Sequence, residues 1–215
     1  MTLLTPKAIG LFGGTFDPFH LGHLRVLTAV YSNVPLKEIR LIPCAKPLLR
    51  RMPVASAKQR LDMLKEIAKD YSWLKVDDRE IRRGGFSYTL ETVSALRQEM
   101  PQTPLCFLMS IDQFLKFDQW HGWEKILDCV HLIVTNRPDW SFSPNSTIQE
   151  VLKQHQTTDI QSLNQTLCGA IFFQTIDALA ISSTDIRARL KADQAVQHLL
   201  PEKVLRYIMQ KCLYK

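Results

Sequence analysis

Two hydrophobic periods alternate along the chain. Short apolar runs, which are typical of buried strands, are separated by stretches in which apolar residues recur every three or four positions, as in amphipathic helices. The runs predict strands at residues 8–12, 38–42, 74–77, 105–109, 131–135 and 170–174. Because strands and helices alternate from end to end, the pattern predicts an α/β fold with a doubly wound, Rossmann-like and mostly parallel sheet.

The helical stretches show start signals of their own. Ser56 precedes Gln59 by three positions, which is the spacing of a capping box, and opens an amphipathic stretch over 57–71. Further helices are expected near residues 24–31, 88–100, 113–117, 123–129, 148–155, 184–191 and 202–211. No linker is long or polar enough to separate domains. We therefore expect a single domain over residues 1–215, with a helical C-terminal portion from about residue 182.

The composition is that of a chain that buries a hydrophobic core. Hydrophobic residues make up 46% of the 215 residues and charged residues 22%, which excludes wholesale disorder and a collagen-like fibre. No apolar run approaches the ~18–20 residues of a membrane span, and the first residues lack the basic region of a signal peptide. The five cysteines never form a CxxC pair, which argues against a disulfide scaffold or a zinc knuckle. We expect a reduced, cytoplasmic chain with no membrane partner.

The formal net charge of +6 fits attraction of an anionic partner, either a nucleotide or a nucleic acid, and fits simple solubility equally well. Basic residues are spread along the chain, and no long basic run or interleaved aromatic motif of the RNA-binding kind occurs. Charge alone does not separate phosphate metabolites from polynucleotides. The motifs in the chain favour the metabolites, and we expect no nucleic-acid partner.

A glycine- and histidine-containing string, GGTFDPFHLGH, directly follows the first predicted strand at residues 13–23. Its paired glycines let the backbone turn sharply and approach a ligand, and ligands of open α/β sheets bind at the carboxyl ends of strands. His20 and His23 are three apart in the expected first turn of a helix, so both imidazoles project from one face. That turn also presents free N–H groups and the positive end of the helix dipole, which favour a phosphate.

Simpler interpretations of the histidine pair have to be weighed first. Two histidines three positions apart are usually surface residues and occasionally zinc ligands. Zinc would need a third ligand, and Asp17 is the one nearby candidate, so we expect no metal site. Neither G-x-G-x-x-G nor G-x-x-x-x-G-K-[ST] occurs, which disfavours a dinucleotide dehydrogenase and a P-loop protein. Gly22 would keep the helix surface flat, where a base or ribose can lie.

The whole string resembles the nucleotidyltransferase superfamily that carries an H-x-G-H signature. H-x-G-H alone is weak, since class I aminoacyl-tRNA synthetases have a similar element, but the flanking GGTFDP favours the small adenylyltransferases. The resemblance implies a nucleotidyltransferase fold in which His20 and His23 are catalytic. It also implies ATP-binding roles for Gly13, Gly14, Thr15, Phe16 and Gly22.

A second motif, ISSTDIR at residues 181–187, stands at the start of a predicted helix near the C-terminus. Hydroxyls and free N–H groups at a helix start form an anion seat, and Arg187, one turn further, can direct two donors at phosphate oxygens. Alone, the segment would be an ordinary N-cap with a surface arginine. Together with the first motif it resembles the ISSTxIR element of the same superfamily, which implies ATP binding by Ile181, Ser182 and Ser183 and a catalytic Arg187.

Three further segments resemble the nicotinate-nucleotide adenylyltransferases within that superfamily. They are Ser87-Tyr88-Thr89, the stretch from Asp112 to Trp120, and Asn136-Arg137-Pro138. The resemblance implies that Asp112 binds ATP and that the mononucleotide is bound by Tyr88, Thr89, Trp120 and Arg137. An indole face can stack on a pyridine ring, worth ~1–3 kcal/mol, although a core position is the commoner role of a single tryptophan.

Two positions depart from this family's pattern. Ser110 stands where the family has a glycine, which would crowd an adenosine pocket, and Leu49 stands where it has a histidine. The resemblance therefore implies no role for Leu49.

The resemblance implies a reaction in which ATP and nicotinate mononucleotide give nicotinate adenine dinucleotide and pyrophosphate, in NAD biosynthesis. The acceptor phosphate attacks directly, no general base is needed, and Mg²⁺ arrives on the ATP phosphates. The alternatives are transfer to nicotinamide mononucleotide or to phosphopantetheine and, from a different class, a non-catalytic nucleotide sensor or RNA-binding module. The sequence predicts no oligomeric state.

Overall fold

The computed structural model describes residues 8–48, 52–138 and 143–215. Within them, seven strands form one parallel sheet of order β3-β2-β1-β4-β5-β7-β6. The strands are β1 (Ala8–Gly14), β2 (Leu36–Pro43), β3 (Leu74–Val76), β4 (Leu105–Ser110), β5 (His131–Asn136), β6 (Gln156–Thr157) and β7 (Ile171–Thr175). The part β3-β2-β1-β4-β5 has the strand order of a doubly wound nucleotide-binding sheet. The predicted fold class is confirmed.

The helices follow the strands in the expected alternation. They are α1 (Leu21–Asn33), α2 (Ala57–Ala68), α3 (Arg79–Arg83), α4 (Thr89–Glu99), α5 (Ile111–Phe114), α6 (Ser146–His155), α7 (Ser162–Gln165), α8 (Ser183–Lys191) and α9 (Glu202–Gln210). Short 3₁₀ turns lie at Phe117–Gln119 and Trp123–Lys125. None of the helices in the described ranges combines the length and apolarity that a bilayer crossing requires.

The chain separates into two compact units. The first unit takes the described parts of Met1–Gly13, Ala29–Arg40 and Tyr88–Asp177, and the second takes those of Gly14–Thr28, Leu41–Ser87 and Ala178–Lys215. The single domain expected over residues 1–215 stays a prediction.

The first unit is built on the central strands. Residues in β4 and β5 are buried at consecutive positions, as expected for parallel strands covered on both faces. Phe107 pairs with Leu132, and Leu132 with Ile171 of β7. Arg97 of α4 crosses the ends of several segments, donating to the carbonyls of Cys129 and Thr103 at 2.8 Å. This guanidinium thus satisfies carbonyl groups of two segments that precede strands of the sheet.

The second unit is held by helix packing and by capping. The predicted capping box is present, since the Ser56 hydroxyl accepts from the Gln59 N–H while the Gln59 side chain accepts from the Ser56 N–H. Helix α2 packs on α9, where the Tyr207 hydroxyl donates to Asp62 Oδ2 at 3.1 Å. The buried face of α2 contains one charged residue, Arg60, among leucine, methionine and isoleucine side chains.

Some local expectations need correction. The helix expected over 123–129 is a 3₁₀ turn at Trp123–Lys125, which begins after Gly122 in the left-handed region, φ 62°. The helix expected over 113–117 begins earlier, because the Ser110 hydroxyl accepts from the Gln113 N–H and caps α5 at Ile111. The Ser110 hydroxyl is thus engaged as the N-cap of α5.

Candidate functional site

The two histidines of the GGTFDPFHLGH string form a stacked pair at the start of α1. The His20 carbonyl accepts the first helical hydrogen bond, from the Leu24 N–H at 3.2 Å. The ring centroids of His20 and His23 are 3.7 Å apart and the rings are 20° from parallel. The prediction that both imidazoles lie on one face is confirmed.

The backbone fixes the tautomer of both rings. The His20 N–H donates to His23 Nδ1 at 3.2 Å, and the His23 N–H donates to His20 Nδ1 at 3.3 Å. Each Nδ1 therefore carries a lone pair, and the ring proton of a neutral imidazole lies on Nε2. Two Nε2–H donors result, side by side.

Burial keeps His20 uncharged. His20 is 6% exposed, and this desolvation lowers its pKa to about 4. A proton on Nδ1 would also displace the backbone hydrogen bond that it accepts. At neutral pH His20 is thus a neutral hydrogen-bond donor rather than a cation.

Gly22 makes room for this arrangement. A Cβ at position 22 would lie 2.9 Å from His20 Nδ1 and 3.4 Å from the Cβ of Ile181. The glycine therefore lets the His20 ring and the ISSTDIR segment approach the same turn of α1. Gly22 was predicted to leave room for a base or ribose. In the structure, the group that needs this room is the neighbouring His20 ring.

Phe16 supports His23 from the side. Its backbone is in the left-handed region, φ 52°, and its ring is buried, 5.4 Å from the His23 ring in an edge-on contact. A Cβ on Gly14 would come within 2.8 Å of this ring. Gly14 is thus required by the phenylalanine, and the Phe16 side chain packs inside the loop.

Asp17 anchors the loop between β1 and α1. Its buried carboxylate accepts hydrogen bonds from the backbone N–H of Val54 at 2.8 Å, the N–H of Ala55 at 3.0 Å and the hydroxyl of Tyr214 at 2.8 Å. A carboxylate with these partners is a structural acceptor rather than a free base or metal ligand.

The ISSTDIR segment joins the same loop. Arg187 Nη1 donates to the Asp17 carbonyl at 2.6 Å and lies 3.7 Å from Asp17 Oδ2. The Ser183 hydroxyl donates to the Pro18 carbonyl at 2.9 Å, while Ser182 caps α8 by accepting from the Asp185 N–H. The two motifs are therefore bound to one another in the second unit, although Pro18 and Ser183 are 165 positions apart.

The first unit holds the remaining candidate residues. Tyr88 precedes α4 and lies 4.8 Å from the His121 ring, and Thr89 is the first residue of α4. Trp120 is half-buried, with edge-on contacts to Phe107 and Phe117. Trp120 is therefore compatible with both interpretations, a core residue and a stacking surface, because one part of its side chain packs on the core and another part is exposed.

The other predicted positions in the first unit are more open. Asp112 is exposed in the first turn of α5, and Arg137 is exposed immediately after β5. Gly13 lies at the end of β1, where a Cβ would be 3.6 Å from the Phe107 ring. Leu49 lies outside the described residues.

Comparison with known proteins decides the family. A Cytidylyltransferase-like family model matches residues 11–189. A probable nicotinate-nucleotide adenylyltransferase of Aeromonas salmonicida is 43% identical over 207 residues, spanning 96% of this chain and 97% of the relative. A second, from Psychromonas ingrahamii, is 38% identical over 97% of this chain and 98% of the relative. The chain belongs to the nicotinate-nucleotide adenylyltransferase family.

Solved structures show the same fold. The Plasmodium falciparum nicotinic acid mononucleotide adenylyltransferase complexed with NaAD superposes with a TM-score of 0.74 and covers 97% of each chain at 18% identity. The same protein complexed with APC gives a TM-score of 0.71 at 17% identity. At these identities the likeness shows the fold alone. Family membership makes this chain a nucleotidyltransferase.

The sequence analysis missed two buried residues that hold the loop between β1 and α1 of this adenylyltransferase family member. The first is Arg60. Arg60 is 1% exposed and donates to the carbonyls of Thr15 and Cys44 at 2.7 Å and of Ala45 at 3.2 Å. It therefore ties the glycine loop to the end of β2. Its place in the apolar stripe of α2, next to Leu61 and one turn before Leu64, is a signal that the sequence does contain.

The second residue that was missed is Tyr214, the donor to Asp17. It follows the last helix, in a stretch with no hydrophobic period, and nothing in the local sequence indicates burial.

Proposed function

We propose that the chain transfers AMP from ATP to nicotinate mononucleotide, giving nicotinate adenine dinucleotide and pyrophosphate in NAD biosynthesis. The observation that carries the proposal is the pair of Nε2–H donors of His20 and His23, held at a helix start beside the ISSTDIR segment. The family's relatives, named for this activity, match almost the full chain.

ATP would be bound by the second unit, which holds the histidine pair and the ISSTDIR segment. The sequence predicted free N–H groups in the first turn of α1, but the Leu21 N–H donates to the Leu199 carbonyl at 2.9 Å and the His23 N–H donates to His20 Nδ1. The two imidazoles would therefore be the main donors to oxygens of the triphosphate. Arg187 would neutralise the departing pyrophosphate. No three His, Cys, Asp or Glu side chains within the described ranges are placed to hold a metal ion. We expect Mg²⁺ to arrive as part of the ATP complex.

The chemical step is a direct displacement. An oxygen of the mononucleotide phosphate forms a bond to the α-phosphorus of ATP, and the bond from that phosphorus to the bridging oxygen breaks, releasing pyrophosphate. The nucleophile is already an anion, so no proton has to be removed. Neutral donors suit this step, because they stabilise the negative charge that develops on the α-phosphate without giving up a proton.

The first unit would recognise the mononucleotide. Tyr88 stands at the N-cap of α4 and its side chain makes no capping hydrogen bond. We expect the nicotinate carboxylate to bind at this helix start, together with the Thr89 hydroxyl. Trp120 would stack on the pyridine ring, and Arg137 would bind the phosphate. A neutral amide would gain less from the positive helix end, which favours nicotinate over nicotinamide.

The cysteines support a reducing location. All five are free thiols: Cys44, Cys106, Cys129, Cys168 and Cys212. Thiols persist in the cytoplasm, where this enzyme would act on small-molecule substrates.

Pyrophosphate release tests the proposal. The protein is incubated with ATP and, in separate reactions, with nicotinate mononucleotide, nicotinamide mononucleotide or phosphopantetheine, and CTP replaces ATP in a parallel series. We expect the fastest release with ATP and nicotinate mononucleotide. Faster turnover of another acceptor would contradict the assigned substrate. If ATP binds but no pyrophosphate is released with any of the acceptors, the chain would be a nucleotide-binding module instead.

A further inference from the structure

The segment after α9 turns back into the interior of the second unit. The Leu213 N–H donates to the Ile208 carbonyl at 3.0 Å, and both Cys212 and Tyr214 have left-handed backbones, with φ 49° and 66°. Such conformations cost energy in non-glycine residues and persist where the surroundings enforce them. The consequence here is that Tyr214 is 6% exposed, although both Cys212 and Lys215 are exposed.

The Tyr214 hydroxyl ends on the loop that carries the histidines. It donates to Asp17 Oδ1 at 2.8 Å, and Asp17 is itself 4% exposed. Burial and the neighbouring Asp17 carboxylate raise the pKa of Tyr214, so the phenol stays a protonated donor.

Asp17 is the junction through which this contact reaches the phosphate-binding groups. Its main-chain carbonyl accepts from Arg187, and the carbonyl of the next residue, Pro18, accepts from Ser183. His20 follows two positions later. A shift of the Asp17 side chain would therefore move the acceptor of Arg187 and the entry to α1 together.

We propose that Tyr214 is a positioning residue for the ATP-phosphate site, acting through Asp17 on Arg187 and on the loop that carries His20. The inference rests on the proposed function where it is tested by enzyme kinetics. Its test by binding of an ATP analogue does not depend on the acceptor. It concerns placement alone, since the hydroxyl is bound to Asp17 and would touch neither substrate.

The second unit contains a matched control. Tyr207 also donates its hydroxyl to a carboxylate, Asp62 Oδ2 at 3.1 Å, but joins α9 to α2 rather than to the histidine loop. Tyr214→Phe and Tyr207→Phe thus remove the same kind of hydrogen bond and keep the ring. If the role of Tyr214 is purely structural, the two variants should behave alike. Each would then change the thermal unfolding temperature and leave the enzyme kinetics unchanged.

The experiment measures kcat, both KM values and the Kd of a non-hydrolysable ATP analogue for the wild type and the two variants. For Tyr214→Phe we expect kcat/KM for ATP to fall roughly five- to twentyfold, as for loss of a hydrogen bond to a charged group. The Kd for the analogue should rise by a smaller factor in the same direction, with KM for the mononucleotide unchanged. Tyr207→Phe should match the wild type in all four.

Three outcomes would overturn the inference. They are unchanged ATP kinetics and binding in Tyr214→Phe, an equal change in Tyr207→Phe, or an equal rise of both KM values. If the wild type fails to use nicotinate mononucleotide, the proposed function fails, while the analogue Kd values still decide the role of Tyr214.

Discussion

The second unit holds its histidine pair through hydrogen bonds at defined atoms, whereas the first unit holds its aromatic candidates through ring contacts. Both Nδ1 atoms of His20 and His23 are engaged by backbone N–H groups. Trp120, by contrast, is positioned by edge-on contacts to Phe107 and Phe117. Stabilising charge on a reacting phosphate needs donors fixed in direction before the substrate arrives, but stacking on a planar ring tolerates small displacements. The two regions differ as their proposed tasks do.

The largest effect is expected from the histidines. His20→Ala and His23→Ala should each lower kcat by roughly 10²–10³, because each removes a donor that is pre-aimed at developing charge. Steady-state pyrophosphate release checks this. His155→Ala is the control, since the His155 ring lies in the first unit and contacts the Gly169 carbonyl. Near-normal turnover in both histidine variants would refute their assigned roles.

Variants of Arg187 test whether this residue acts through the direction of its hydrogen-bond donors or through its charge alone. Arg187→Lys keeps the charge but loses the fork that donates to Asp17 and Thr184, and we expect kcat to fall by about tenfold or more. Arg189→Lys, two positions further in α8, changes an exposed arginine paired with Asp185 and should leave the rate unchanged. Equal rates in the two variants would mean that charge alone matters at position 187.

A smaller and more selective effect is expected in the first unit. Trp120→Ala should raise KM for the pyridine mononucleotide by about tenfold through lost stacking, with KM for ATP nearly unchanged. Trp120→Phe, which keeps an aromatic face, should lie between the two. Trp73→Ala, in the second unit, controls for loss of an indole elsewhere. If both KM values rise together, the tryptophan has been placed in the wrong site.

The smallest effect concerns stability. The pKa of His20 is about 4 in the folded chain and 6.5 in the reference state, so the unfolded chain binds more protons between these values. The free energy of unfolding should therefore decrease as pH falls from 6.5 towards 4, by up to about 3 kcal/mol from this group. Urea unfolding of the wild type and His20→Asn at pH 7.5 and 5.0 measures the difference. An equally steep loss in the variant would show that His20 does not carry it.

Most of the strands and helices were predictable from the sequence, whereas three short elements were not. All six expected strands are present, with ends within two residues of their predicted bounds. Elements α3, α7 and β6 were missed because two to five residues are too few to show a period.

The candidate site divides in the same way. His20, Gly22, Ile181 and Arg187 were found because each belongs to a compact motif. Arg60 and Tyr214 were missed because their roles arise from contacts with residues 45 and 197 positions away. Asp17 was considered as a metal ligand, but only the folded structure reveals how many donors its carboxylate accepts. Local patterns identify the groups proposed to meet the substrate and leave out those that hold them in place.

The most direct test of the account is ¹⁵N NMR of the histidine rings, with and without a non-hydrolysable ATP analogue. We expect unprotonated Nδ1 and protonated Nε2 for His20 and His23 at pH 7, with Nε2 resonances that shift when the analogue binds. His155 provides the opposite tautomer as an internal reference, since its Nδ1 must donate to the Gly169 carbonyl 2.7 Å away. A protonated Nδ1 on His20, or Nε2 resonances that ignore the analogue, would contradict the account.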